Sequence, residues 1–375
     1  MHIGATGAAL TGISNEALAD HTDDPREEIP RLVRWRHTNH DNVETGESPP
    51  KWKPVYETMP RDDYIQLQGA VNGARKLQRK HHPDLAYGIT GREVTGPGAN
   101  IFVSHITTQR SNGEASRPNI TFEEAREQIP STAEVTVNVG GEQHRVTKPV
   151  VLKKTVREET AYFDTEYRPI PGGCQISPDG DSSYGTLATP CYSSAHGTYG
   201  WATAAHVVNR TVGTEVEQPE YGSIIGTARD APSFGNGDVA FVDDSGDGTM
   251  TYDMASYNGD YENWDIKGSV SKSGCQNAVY YSYSVHAQGS RSGRTKGRAM
   301  DLIMADDHDA GGDLLVTNSE FDDGDSGGPH FDKDTDNEIY IYGIHDYVEK
   351  HDDDSDADSH ATTAYWAEDE FNFTI

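Results

Sequence analysis

One serine in this chain, Ser326, stands among glycines and aspartates in "FDDGDSGGPHF", residues 321–331. A tight loop would use the same residues, because glycine reaches φ > 0 freely and Asp and Ser bond their own backbone. The sharper reading is a nucleophile on a turn whose backbone N–H groups converge where an oxyanion would form. That reading requires a base and an acid to orient it. Upstream, "YGWATAAHVV" delivers His206 among small side chains, and "GNGDVAFVDD" places Asp238 at the head of the apolar run Val239–Val242. A carboxylate there is costly to bury without a donor, and an imidazole N–H is a suitable one.

The order His206, Asp238, Ser326, with gaps of 32 and 88 residues, together with "TAAH", "GDVAFV" and "GDSGGP", resembles the chymotrypsin-like serine proteases. The spacing is similar to their short bacterial and archaeal branch, and the acidity to haloarchaeal-type members. The resemblance spans roughly residues 168–350. It implies an endopeptidase acting on protein or peptide substrates through His206, Asp238 and Ser326 and an acyl-enzyme intermediate, with an oxyanion hole from the N–H groups of Gly324 and Ser326. The fold implied is mainly β: two six-stranded antiparallel barrels preceded by a small α+β unit. No cofactor and no metal is expected.

The resemblance further implies a substrate pocket lined by Glu320, Phe321, His345, Asp346, Tyr347 and Val348. His345 is similar to a histidine of glutamate-preferring members, whereas Glu320 points towards a basic side chain. Asp346 stands where relatives usually carry serine and Val348 where many carry glycine. Asp325 would pair with a buried cation, for which Arg291, Arg294 and Arg298 are candidates. The segment "SVSKSGCQNAVYYSYSV", residues 269–285, resembles the strand pair that opens the second barrel.

Competing readings are a catalytically silent protease-fold protein that binds through its N-terminal unit, and an α/β-hydrolase. Residues 324–328 also fit the G-x-S-x-G elbow, but Pro329 follows where a helix should start, and too little chain remains for a later acid and histidine. "DKDTDNEIYIYG", residues 332–343, fails as a calcium loop because Asn337 replaces the required glycine and Gly343 the bidentate glutamate. The aspartate run at 351–360 reads as a solvated loop, with surface calcium as a minor alternative.

The elements that must position these residues are short β-rich segments punctuated by Gly, Asn, Asp and Ser from residue 161 onward. Before them, residues 61–82 carry Tyr64, Leu67, Val71, Ala74 and Leu77 at helical spacing, ahead of Pro83. "NIFVSHI" and "EVTVNV" read as strands, the second turning at Gly140-Gly141 into a hairpin. Residues 61–160 thus form an accessory or pro-domain, residues 161–375 the protease domain, and residues 20–60 a polar linker. Residues 1–19 look like the end of an export signal, which implies an extracellular or cell-surface protein.

Lys and Arg number 31 against 61 Asp and Glu, a net charge of −30, which argues against nucleic acid as partner. Residues 1–160 hold 20 basic against 22 acidic side chains, and residues 161–375 hold 11 against 39. Such acidity suits high salt, where carboxylates keep a surface hydrated. Screening there falls to about 3 Å, so contact between the two parts must rest on apolar surface. A monomer is expected, with no membrane span. Of the 3 cysteines, Cys174 and Cys191 flank a turn-rich stretch and could bridge, leaving Cys275 over.

Overall fold

A computed structural model describes residues 28–40, 48–80, 85–91, 98–106, 108–109, 115–116, 120–155, 157–158, 165–180, 183–219, 221–232, 237–256, 261–304, 312–321, 324–349 and 358–375. The export-signal reading at 1–19 and most of the aspartate run at 351–360 lie outside these residues.

The fold is mostly β and has two curled sheets. In the second, the strands Ser284–Gly289, Gly293–Met304, Leu314–Thr317, Asp358–Thr363, Glu338–Glu349 and Pro329–Lys333 pair in a ring, every pairing antiparallel. This closes a six-stranded barrel and leaves no free edge around it. The first sheet is a curled half-barrel, open rather than closed, built on Gln175–Pro178, Thr189–Ser193, Thr198–Thr203, Glu215–Gln218, Ser223–Asp230 and Ala240–Asp243. The C-terminal strand Phe373–Thr374 returns to it and pairs with Tyr192 and Ser193. Its core is Trp201, Ile176, Val216, Ile225, Ala240 and Val242, all fully buried.

The N-terminal residues are joined to the second barrel by backbone pairing. Ala86–Thr90 adds antiparallel to the end of the long strand Gly293–Met304, with Thr90 opposite Asp301, Ile89 opposite Leu302, Gly88 opposite Ile303 and Tyr87 opposite Met304. Asn100–Ile106, Glu142–Thr155 and Thr132–Val139 follow in that order. The hairpin predicted at Gly140-Gly141 forms, both glycines taking positive φ. The helix predicted from residue 61 runs Arg61–Gln78, with Asp62 and Asp63 in its first turn and Arg75 and Lys76 in its last, complementing the helix dipole. Its buried stripe, Tyr64, Leu67, Val71, Ala74 and Leu77, packs into one apolar cluster with Ile89 and Ile101 and with Val279, Leu302 and Leu315 from residues 161–375. Burying a side chain such as Leu67 is worth about 1.5–3 kcal/mol, and salt does not screen it.

The structure departs from three sequence expectations. The stretch read as a polar linker contains an antiparallel hairpin, Glu28–His37 with Trp52–Pro60. Arg31 in this hairpin is fully buried and donates to Gln276 at 2.6 Å and to Asn277. Residues 269–285 are not a strand pair throughout, because Lys272–Tyr281 is a helix. The Ser271 side chain accepts the Gly274 N–H and caps it, and Cys275, Ala278 and Val279 face the core. Cys174 and Cys191 form no bridge: both are buried thiols, Cys174 Sγ donating to Pro171 O at 3.3 Å while Cys191 lies opposite Gly200. Burial pushes all three thiols up, so they are held protonated.

Candidate active site

His206 lies in a single 3-10 turn, Ala205–Val208, at the end of the strand Thr198–Thr203. Asn209 and Arg210 follow in left-handed conformation and reverse the chain. That reversal brings the Arg210 guanidinium to 2.8 Å from Asp238 Oδ1 and 3.1 Å from Gly237 O, clamping the segment that carries the aspartate. Asp238 then accepts from the His206 backbone N–H at 2.9 Å and meets His206 Nδ1 at 2.5 Å. Burial alone would push this carboxyl up, but the His206 charge and hydrogen bond, a hydrogen bond from Asp346 and the Arg210 charge hold it well below the usual carboxylate range. His206, Asp238 and Asp346 bring ligand-type atoms within 4.8 Å of one another. A cation placed there would meet the Arg210 guanidinium on the same carboxylate, so the donor set suits a hydrogen-bond network.

Ser326 lies on a turn held from several sides. The Gly324 carbonyl accepts from Thr186 Oγ1 at 3.1 Å and Ser290 Oγ at 3.2 Å, and Asp325 Oδ1 accepts the backbone N–H groups of Arg291 at 2.8 Å and Ser292 at 3.1 Å. The Thr186 N–H donates to Ser326 O at 2.8 Å, and Gly327 N–H to His345 O at 2.7 Å. Gly327 has φ +89°, and a Cβ there would stand 2.2 Å from Thr186 O and 3.0 Å from Ala204 N. Only glycine lets the turn sit this close to the strand end that delivers His206. Ser326 is 2% exposed, and its Oγ makes no hydrogen bond among the described residues. Of the arginines considered for Asp325, Arg294 donates to Gln288 Oε1 and to Ala255 O, both at 2.6 Å.

The pocket residues separate into groups. Phe321, His345 and Val348 lie together, the Phe321 ring stacked 3.9 Å from that of His345 and packed against Val348. Tyr347 turns away, stacks on His360 at 4.2 Å and joins Phe102, Ile303, Leu314 and Val316. Asp346 faces Asp238, and Glu320 is exposed.

Two further histidines, overlooked in the sequence, complete this region. His330 Nε2 is 3.2 Å from His345 Nδ1, and His330 Nδ1 is 3.5 Å from Thr317 Oγ1. His360, in the strand that pairs beside Glu338–Glu349, is also buried. Burial, reinforced by the charge of His360, pushes His330 down to about 3, and burial with its histidine neighbours pushes His345 well down. Both imidazoles are neutral, so one ring of the contact donates and the other accepts. Since an unfolded histidine titrates near 6.5, stability is full above that pH and is lost as pH falls towards 3. Urea titrations should therefore show a slope of about 1.4 kcal/mol per pH unit for His330 alone, which His330→Gln removes. An unchanged slope in that variant would contradict the assignment. The signal that could have found His330 is its place in the same short motif as Ser326; His360 had none.

No family model matches the chain, and no curated protein does. Among solved structures it is similar to Thermobifida fusca protease A, at 20% identity and a TM-score of 0.40, over 55% of this chain and 97% of that one. A Cellulomonas bogoriensis chymotrypsin matches at 19% identity and a TM-score of 0.40, over 55% and 97% of the two chains. A glutamic acid specific serine protease, described as using a histidine triad in substrate binding, matches at 19% identity and a TM-score of 0.42, over 55% and 100%.

Proposed function

We propose that the protein is a serine endopeptidase. The observation that carries this reading is the His206–Asp238 pair at 2.5 Å, clamped by Arg210, beside a glycine turn that holds a buried, unbonded Ser326 Oγ among the described residues. In the reaction, Ser326 Oγ attacks a peptide carbonyl carbon while His206 Nε2 takes its proton. The N–H groups of Gly324 and Ser326 stabilise the oxyanion, and the proton then passes to the leaving amine as the acyl-enzyme forms. Water repeats the sequence and releases the acid. Asp238 holds the imidazole tautomer and stabilises the imidazolium. A fluorophosphonate probe tests this directly: the adduct should map to Ser326 by mass spectrometry. A folded protein that takes up no label would favour the silent binding protein.

The preferred residue before the cleaved bond is acidic in this reading. With Thr317 Oγ1 donating to His330 and His330 Nε2–H to His345, the His345 ring keeps Nε2–H as a donor beside Phe321, suited to a carboxylate. A peptide library should show cleavage after glutamate at least about tenfold faster than after glutamine, the margin of one charge-assisted hydrogen bond. Preference for lysine or arginine would assign the pocket to Glu320 instead.

The reading extends to latency, export and high salt. Residues Arg157 and Glu158 pair antiparallel with Glu349 and Val348, at the edge of the strand that carries His345. An extended peptide substrate would add to the same edge, so the connection between the two parts competes with it. The acidic residues 161–375 support a protein adapted to high salt, and its export to the surface or medium rests on the N-terminal residues 1–19.

A further inference from the structure

The last strand of the extended sheet, Thr132–Val139, pairs with Glu142–Thr155 on one side and, among the described residues, with no strand on the other. On this free edge Glu134 O accepts from Lys76 Nζ, so the backbone groups of Glu134 point out of the sheet. Successive residues of an antiparallel strand turn their N–H and C=O groups to opposite sides, and those of Thr136 and Asn138 therefore point outward as well. Among the described residues no hydrogen bond falls on them. Along the edge runs an open groove of about 690 Å³ between the strand and the end of the helix Arg61–Gln78. We propose that this groove binds an extended, Asp- and Glu-rich segment of a protein substrate, added as a further strand to Thr132–Val139. The binding site follows from its own geometry, and its service to a substrate rests on the endopeptidase reading above.

The charges around the edge select the partner. Arg75, Lys76, Arg79 and Lys80 line the groove from the helix and the residues that end it, Arg145 lines it from the hairpin, and Glu134 is the one acid among the lining residues. Arg75, Arg79, Lys80 and Arg145 form no ion pair among the described residues. The helix dipole accounts for cations at the helix end, but not for Arg145 across the groove. Val135 packs into the cluster that holds the helix, whereas Thr136 and Arg145 lie opposite each other on the other, exposed face of the hairpin. Cations thus flank the edge on both faces. An added strand alternates its side chains between the two faces and would present carboxylates to both. The outward N–H and C=O groups suit a polypeptide backbone, which both donates and accepts, and not a phosphate backbone, which only accepts. A second copy pairing through the same edge would bring two rows of cations together. Residues 161–375 carry 39 acidic against 11 basic side chains and repel an acidic chain, so this groove supplies the attraction that the catalytic part lacks. The strand Glu142–Thr155 leads from Arg145 towards Glu158, which pairs at the edge of the strand carrying His345, a path of at most about 45 Å. Only a long substrate can reach both places.

The test separates binding from turnover. Fluorescence anisotropy follows a labelled octaglutamate peptide on the full chain carrying Ser326→Ala, with octalysine as the control. Octaglutamate should bind and octalysine should not. Combining Arg75→Glu, Arg79→Glu and Arg145→Glu should weaken binding at least about tenfold, because three exposed ion pairs become repulsions. Thr136→Pro removes an outward N–H and leaves the pairing with Glu142–Thr155 in place, so it should weaken binding about fivefold, the net value of one backbone hydrogen bond, at an unchanged circular dichroism spectrum. With Ser326 intact, the charge-reversed protein should show a KM for an acidic protein substrate raised by a similar factor, an unchanged kcat, and unchanged cleavage of a short glutamyl peptide. Equal binding of octaglutamate by the charge-reversed and parent proteins would overturn the site, and equal binding by Thr136→Pro would overturn strand addition. Weakened binding with an unmoved KM would overturn the service to a substrate. Octaglutamate bound by a protein that takes up no fluorophosphonate label would uphold the binding site and sink the protease reading instead.

Discussion

Ser326→Ala should lower peptide hydrolysis by roughly 10⁶-fold and abolish fluorophosphonate labelling, while leaving the protein as stable as before or slightly more so. The two effects have separate causes. In the proposed reaction the hydroxyl supplies the attacking oxygen, and no neighbouring group can replace it. In the fold the same oxygen is buried without a hydrogen bond among the described residues, so removing it relieves a desolvated polar atom. The turn itself is held by the Gly324 carbonyl, the Asp325 carboxylate and the backbone of Gly327, none of which the substitution touches. Kinetics with a glutamyl peptide and denaturant titration of the same samples measure both quantities. Hydrolysis that persists in the variant would place the nucleophile elsewhere.

Asp238→Asn should reduce turnover about 10⁴-fold and, unlike the serine substitution, also destabilise the protein by about 3–5 kcal/mol. An amide offers His206 Nδ1 an N–H as readily as a carbonyl, so the tautomer that leaves Nε2 able to take the serine proton is no longer enforced. The imidazolium also loses its compensating charge. Stability falls because Arg210 keeps its charge but loses its buried partner at 2.8 Å. A combined Asp238→Asn, Arg210→Gln variant should recover part of the stability and none of the turnover, which separates the structural share of the aspartate from the chemical one. Equal recovery of both would mean that Asp238 acts only through folding.

The elements that the sequence conceals share a physical cause. Strand alternation in Glu28–His37 is masked because its buried positions include Arg31, whose burial is tolerated only with Asn277 and Gln276, 246 and 245 residues away. The helix Lys272–Tyr281 is masked by its tyrosines and by a glycine within it, since β propensity competes with a cap and a buried face that only packing rewards. Asp346 reads as a pocket residue beside its neighbours, yet a pairing irregularity between His345 and Tyr347 turns adjacent residues to different surroundings.

By itself the sequence determined the chemical groups and their order: a histidine after a small-residue run, an aspartate opening an apolar strand, and a serine in a glycine turn. It also determined the helix Arg61–Gln78 and the turn at Gly140-Gly141, because both follow from local periodicity and φ preference. Tertiary structure alone decided that Arg210 holds Asp238, that an Asp346 oxygen comes within 4.8 Å of the His206–Asp238 pair, and that His330, His345 and His360 gather in one buried region with Phe321. Those partners come from separate strands, and which side chains meet is set by sheet register and closure, which no local stretch of sequence contains.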